Sequence, residues 1–319
     1  MNTYCPFVEK HRPKKFDDIV LDPINKKILK SIIETLHFPN VLFYGPPGTG
    51  KTTTIINAIR EYQEKTCGHS EPGLTIHLNA SDERGIDIIR NQISSFVSSR
   101  PLFSNGIKFV ILDEVDYMTK NAQQALKYLL EEYPNNVRFC LICNYISKID
   151  EGLQNEFLKL RFDQLPKDEV VAFLEKLSKE EEIDLNKNIL NSIQKLFKSD
   201  LRSMVNYIQT NQDMLQTKYH IINDETWEEM FNIVSNYKTI SKPEMISHVH
   251  QLSIKYNIDI KNIIVNFLNY IIRYKKQLCS SDFFLFTENI IHSRITNDQG
   301  LLYLFNKLIE FIEKEDSSS

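Results

Sequence analysis

The sequence predicts an α/β domain built on a parallel sheet with helices on both faces, followed by a small helical domain and a C-terminal all-α domain. Three observations predict it. Through the first half, five short apolar runs alternate with segments of helical periodicity, the pattern of a parallel sheet. A glycine-rich loop and an acidic stretch fall at the ends of two of those runs, where open sheets of this class bind ligands. After Pro166 the strand-like runs stop and only helical patterns follow.

Taken in order, NVLFY (40–44) is a short apolar run ending at the glycine-rich loop, and KTTTIINAIREYQ (51–63) carries helical spacing. LTIHLNAS (74–81) is a second strand candidate, followed by the helix candidate IDIIRNQISSFVSS (86–99). IKFVILDEV (107–115) is the third, followed by KNAQQALKYLLEEY (120–133). VRFCLICNY (137–145) and FLKLRF (157–162) are the fourth and fifth. Residues 167–183, 186–197 and 201–215 read as three consecutive helices, a small bundle. From about Trp227 more helical patterns follow, among them 262–278 and 301–315. The expected domains are 1–165, 166–226 and 227–319. No Gly- or Pro-rich linker separates the two helical regions, so their boundary is soft. The terminal EDSSS is expected to fray. There is no internal repeat and no low-complexity tract.

Composition bounds the function classes. With 42% hydrophobic and 25% charged residues in 319, the usage is that of a globular chain with ample core material. A net charge of −4 excludes a generally basic protein but not a local basic groove. No apolar run approaches the length that spans a bilayer, so no membrane partner is expected. The polar, charged start MNTYCPFVEKHRPKKF is not expected to act as a signal peptide. Five cysteines make no disulfide framework and point to a reducing intracellular compartment. Cys140 and Cys143 have CxxC spacing inside an apolar strand candidate, where alternation sends them to opposite faces. No second ligand pair stands nearby, and Cys67 with His69 makes an equally thin case, so zinc is not expected.

The loop Gly45, Pro46, Pro47, Gly48, Thr49, Gly50, Lys51, Thr52 and Thr53 matches GxxxxGK[ST] in full and lies between a strand and a helix. Its backbone N–H groups and the start of the helix suit a triphosphate. Lys51 would reach the terminal phosphates, and the Thr52 hydroxyl would ligate Mg²⁺. The third strand ends in Asp113 and Glu114. Asp113 is placed for the Mg²⁺ shell, and Glu114 for polarising the attacking water. A strand followed by Asp-Glu is often only a solvated loop; the upstream Lys51 loop makes it a signal. Asn144, ending the fourth strand, is placed to orient that water, although an asparagine opening a turn is the commoner reading of such a residue.

Five stretches carry a resemblance: VEKHRPKKFDDIV (8–20), LFYGPPGTGKTTT (42–54), LNASDERGIDIIRNQI (78–93), ILDEVDYMTKNAQQALKYLLEEY (111–133) and NVRFCLICNYISKI (136–149). In that order they resemble the small subunits of replication factor C, the AAA+ clamp loader of archaea and eukaryotes. The match covers the first half of the chain; the helical remainder is similar in layout more than in letters. The resemblance implies a P-loop AAA+ domain with a helical lid and a C-terminal collar. It implies ATP and Mg²⁺ as cofactors, a hetero-pentamer of clamp-loader subunits, a ring-shaped sliding clamp, primer–template DNA, and work inside the cell at sites of replication. SDLRSMVNYIQ (199–209) is similar to the family's lid motif, which puts Arg202 on the nucleotide; without the resemblance, a solvated charge would be the better reading. Val8, Arg12 and Pro13 would lie near the adenine, or simply pack an N-terminal arm. Arg90, with Arg84 and Arg100, would follow the DNA backbone by phosphate contacts, which carry no sequence readout; a solvated helix face is the competing reading. Ile93, Phe96 and Val97 would dock on the clamp or belong to the core.

One motif departs from the family. The arginine finger should stand in a Ser-Arg-Cys triplet, and this sequence has Asn155-Glu156-Phe157. A finger stabilises charge on the transferring phosphoryl group of a neighbour's site and is worth ~10³-fold or more in rate. Glu156 would place negative charge there instead. Arg161 aligns with the arginine of the family's following Phe-Arg-Phe and is not an evident replacement. The expectation is an ATP-binding and ATP-hydrolysing subunit that acts in a heteromeric complex. Two alternatives stay open: a scaffold subunit whose nucleotide is never turned over, and another AAA+ motor that remodels branched DNA.

Overall fold

The computed structural model describes residues 5–81, 86–99, 106–134, 136–212, 222, 224–293 and 297–316. Strands β1 (Val41–Tyr44), β2 (Thr75–Asn79), β3 (Lys108–Asp113), β4 (Val137–Cys143) and β5 (Leu158–Arg161) form one sheet in the order β2-β3-β4-β1-β5. Every pairing is parallel. The three inner strands are buried along almost their whole length, while β2 and β5 at the edges are largely open. That explains the apolar runs: a strand covered on both faces has no polar side to alternate with. Register brings the strand ends together, with Tyr44 opposite Cys143 and Asn79 opposite Asp113. The residues that follow β1, β3 and β4 therefore leave the sheet side by side.

Helices α1 (Phe7–Lys10), α2 (Pro23–Glu34), α3 (Lys51–Cys67), α4 (Ile86–Ser98), α5 (Lys120–Glu132) and α6 (Glu151–Gln154) complete this layer structure. α2 has a clear start. Asp22 accepts from the N–H groups of Ile24 (2.9 Å) and Asn25 (3.2 Å), and Pro23 opens the first turn. On one face of the sheet, α2 and α3 bury Leu29, Ile33, Ile55 and Ile59 with Phe43, Phe109 and Cys140. On the other, α4 and α5 bury Ile93, Val97, Leu126 and Leu129 with Val110, Leu141 and Cys143. The two cysteines of the CxxC spacing thus face opposite sides of the sheet. Ile93 and Val97 are core, and Phe96 packs against it half-buried. Lys108, buried at the start of β3, donates to the carbonyl oxygens of Phe96 (2.5 Å), Val97 (3.1 Å) and Ser99, closing the C-terminal end of α4.

Helices α7 (Lys167–Glu180), α8 (Lys187–Phe197) and α9 (Leu201–Thr210) follow. By contacts, Met1–Ile183 with Phe197–Thr210 make one compact unit, and Asp184–Leu196 with Asn211–Ser319 make another. The first therefore holds the sheet, α7 and α9. The second contains α10 (Asp224–Ser235), α11 (Lys242–Tyr256), α12 (Ile260–Tyr274), α13 (Ser281–His292) and α14 (Asp298–Asp316). It buries Trp227, Val249, Ile263, Phe267, Phe283, Leu301 and Phe305. The starts of α11 and α13 carry side-chain caps. Glu244 accepts from the Ser241 N–H (2.8 Å) in a capping box, and Ser280 Oγ accepts from the Phe283 N–H (3.2 Å).

Candidate nucleotide site

The loop from β1 to α3 is shaped by its glycines. Gly45, Gly48 and Gly50 have φ of +142°, +75° and +83°, a region that side chains other than glycine occupy at a cost. Gly45 also passes so close to β5 that a Cβ would meet the Phe162 carbonyl oxygen at 1.8 Å. Thr49 is turned inward and donates to the Pro46 carbonyl (2.9 Å), which tightens the loop from within.

Lys51 opens α3 and is buried. Its Nζ donates to the Gly45 and Pro46 carbonyls (both 2.7 Å) and to Asn144 Oδ1 (3.1 Å). Burial pushes its ammonium pKa down, and the Asp113 carboxylate opposes that shift. The Thr52 hydroxyl donates to Asp113 Oδ2 (2.7 Å), while Asp113 Oδ1 accepts from the Glu114 N–H (2.9 Å). Burial alone would raise the Asp113 carboxyl. His77, whose Nε2 stands 3.9 Å away, together with Thr52 and the Glu114 N–H, holds it below the ordinary carboxylate value. Glu114 has φ +56°, a left-handed backbone uncommon for such a residue and typical of functional turns. Directly behind Asn144, burial pushes the Cys143 thiol up to about 12, so it is inert.

Lys51, Thr52, Asp113, Glu114 and Asn144 line one cavity. Of the sequence-predicted residues, Val8, Arg12, Pro13, Pro47, Gly48, Gly50, Lys51, Thr52, Thr53, Asp113, Glu114, Asn144 and Arg202 face it. Gly45, Pro46 and Thr49 build the loop without lining the cavity. Sequence reasoning missed Phe7, His11, Ile19, Val20, Phe173, Leu201 and Val205. They come from the N-terminal arm, α7 and α9, and none carries a spacing that would mark it. The arm is clasped by the end of α7 and by α9. The Phe7 N–H donates to Gln209 Oε1 (3.0 Å), Lys10 pairs with Glu181 (2.7 Å), and His11 lies between Glu180 (3.1 Å) and Glu181.

Of the DNA candidates, Arg84 and Arg100 lie outside the described residues; Arg90 lies in α4, and its side chain is outside them too. At the departure from the family motif, Asn155 and Glu156 are exposed and Phe157 is buried in the core. Arg161 is exposed and paired with Asp163 (2.5 Å).

The donor set fits Mg²⁺-nucleotide. Thr52 Oγ1 and Asp113 Oδ2 already touch, as two oxygens of one metal shell would, and the loop offers helix N–H groups beside a buried lysine.

Residues 41–164 match the ATPase family associated with various cellular activities (AAA). Replication factor C subunit 5 of Homo sapiens is 41% identical over 206 residues, covering 64% of this chain and 59% of that protein. Replication factor C subunit 3 of Schizosaccharomyces pombe is 40% identical over 204 residues, 64% and 58% of the two chains. Replication factor C small subunit 2 of Pyrobaculum islandicum is 39% identical over 201 residues, 63% and 62%. The match therefore spans about three fifths of the length of these relatives. Among solved structures, the Thermotoga maritima RuvB Holliday junction branch migration motor superposes with a TM-score of 0.54 at 16% identity, over 82% of this chain and 91% of that one, a likeness of fold alone. Residues 41–164 thus carry the AAA match, and the chain is similar to replication factor C small subunits over about three fifths of their length.

Proposed function

We propose that the chain binds Mg²⁺-ATP in this cavity and hydrolyses it as one subunit of a heteromeric DNA sliding-clamp loader. The observation that carries the reading is the convergence of Lys51, the Thr52–Asp113 pair, Glu114, Asn144 and Arg202 on one cavity. The phosphates would lie along the loop N–H groups at the start of α3. Lys51 would leave the Gly45 and Pro46 carbonyls for the terminal phosphates, and so release Asn144 to hold water. Glu114 would take the proton of that water. Thr52 and Asp113 would hold Mg²⁺, which neutralises charge on the phosphates when bound. Arg202 would reach the phosphates from the lid, and the apolar side chains of the arm, α7 and α9 would receive the base.

In this reading residues 1–165 are the nucleotide domain, 166–226 the lid and 227–319 the collar. The partners are other loader subunits in a hetero-pentamer, a ring-shaped clamp and primer–template DNA, the last met by Arg84, Arg90 and Arg100. The place of action is inside the cell where DNA is replicated. With Glu156 in place of a finger, this chain would complete no neighbour's site, so its own turnover would depend on a finger supplied by another subunit.

The test is steady-state ATP hydrolysis by the chain alone and with loader subunits, each with and without clamp and primed DNA. The expected result is activity only with partners, falling ~10²-fold or more on Glu114→Gln while ATP binding survives. A second reading, a scaffold whose nucleotide is a permanent brace, is favoured by the exposed Glu156. It is the outcome if Glu114→Gln leaves hydrolysis and clamp loading unchanged.

A further inference from the structure

Gly48 stands where the phosphate-loop motif accepts any residue, yet glycine is required there twice over. Its φ of +75° is one reason. The other is a neighbour: a Cβ on Gly48 would lie 1.8 Å from Asp200 Oδ1 and 2.5 Å from its Cγ. That carboxylate is not free to swing away. Oδ1 accepts from the Ser203 N–H (3.0 Å) and Oδ2 from the Ser203 hydroxyl (2.7 Å), so Asp200 is the N-terminal cap of α9. The turn is anchored on both sides. The Leu201 N–H donates to the Gly48 carbonyl (3.1 Å), and Ser199 Oγ accepts from the Leu165 N–H (3.0 Å). The residue after Leu201 is Arg202, which faces the cavity and is near enough to bear on the Lys51 ammonium.

We infer that Asp200 is a positioning residue for Arg202. Locked as the cap of α9 and seated on Gly48, it sets where the arginine enters the cavity. A long side chain contributes to a charged ligand only as well as its backbone is held, because each misplaced degree of freedom must be frozen on binding. The bare Cα of Gly48 is the seat, so the phosphate loop and the lid arginine are registered to each other directly. This inference rests on the reading that Arg202 contacts the nucleotide.

The experiment is a double-mutant cycle on ATP affinity, measured by titration of the purified chain with a fluorescent ATP analogue. Arg202→Ala is expected to weaken binding about tenfold, the loss of a charged hydrogen bond. Asp200→Ala should weaken it severalfold, and the double variant should be no weaker than Arg202→Ala alone, because Asp200 acts through the arginine. Asp200→Asn keeps an acceptor for the Ser203 N–H and should retain the full Arg202 effect, which a loss of general stability would not predict. Multiplying losses in the double variant would overturn the inference and leave the reading of Arg202 standing. An unchanged affinity in Arg202→Ala would sink the reading of Arg202, and the inference with it. Should Asp200→Ala unfold, Gly48→Ala supplies the second route. It fills the seat, and pairing it with Asp200→Gly should recover part of the lost affinity; no recovery at all would show that Gly48 serves only its own backbone and would refute the seat.

Discussion

The polar and apolar parts of the same cavity lining are built in opposite ways. Apart from His11, Arg12 and Arg202, the polar part comes from three short stretches, within 47–53, at 113–114 and at 144, each leaving the end of a central strand. The apolar part is assembled from Phe7 and Val8, Ile19 and Val20, Phe173, and Leu201 and Val205, spread over some two hundred positions. Phosphate recognition needs fixed N–H directions, a cation and two oxygens at set distances, so it is encoded locally and leaves a readable spacing. A base needs only apolar contact from several sides, which any Val, Ile or Phe can give if the fold brings it there. The two parts should therefore answer differently to mutation.

The largest effect is expected where geometry is least replaceable. Lys51→Ala removes the one side-chain cation that the phosphate loop holds in place. It should lower ATP turnover in the assembled complex by about 10²- to 10³-fold, the scale for removing one preorganised charge. Direct binding should fall with it. A loss under threefold would mean that the loop N–H groups suffice and that the polar part is as forgiving as the apolar one. Phe173→Ala, on α7, sharpens the contrast. It should weaken ATP binding by about tenfold at most, the worth of one partly buried aromatic ring, and leave turnover at saturating ATP unchanged. A fall in turnover without a change in affinity would break the division, because it would give an apolar wall residue a part in the chemistry.

The same contrast explains what could be read from the sequence. The five strands, the phosphate loop, Asp113, Glu114 and Asn144 are each defined by neighbours a few positions away. Local patterning specifies them, and the sheet register only confirms that Tyr44, Asp113 and Cys143 end together. α2 has an equally local signature: Asp22 and Pro23 mark its start, and Leu29, Ile32 and Ile33 follow at helical spacing. The clasp of His11 by Glu180 and Glu181 joins residues some one hundred and seventy positions apart, and no spacing rule reaches that far. Arg202 was legible only through the family resemblance, because nothing local separates it from the solvated arginines of other amphipathic helices.

The clasp itself gives a pH-dependent comparison. Burial works to raise the Glu181 carboxyl, but the Lys10 and His11 contacts outweigh it and hold its pKa below the ordinary 4.5. A depressed carboxylate contributes stability above its unfolded pKa, and that contribution is lost as pH falls through the folded value. Removing the charge with Glu181→Gln should therefore cost about 1 kcal/mol at pH 7. Urea midpoints of variant and wild type should converge as pH drops below the ordinary value. Curves that stay parallel down to pH 3 would show that the arm is held by Phe7 and its apolar neighbours rather than by the ion pairs.

The smallest effect concerns the residue that stands where the family's Phe-Arg-Phe arginine would. Arg161, close to the altered triplet in sequence, is an arginine that could be imagined to act in a neighbour's site. Its side chain is 66% exposed and already spent on Asp163, two residues away. An exposed pair of this kind is worth about 0–1 kcal/mol, because water competes for both partners. The backbone carbonyl of Arg161 does the structural work, accepting from the Asn25 side chain at 2.6 Å, and it survives any side-chain change. Arg161→Ala should therefore shift the melting temperature by no more than a few degrees and leave complex-dependent ATP hydrolysis where it was. A loss of tenfold or more in the complex would make Arg161 a displaced finger. The exposed Glu156 face would then be a working face after all, with its cation moved five residues along the chain.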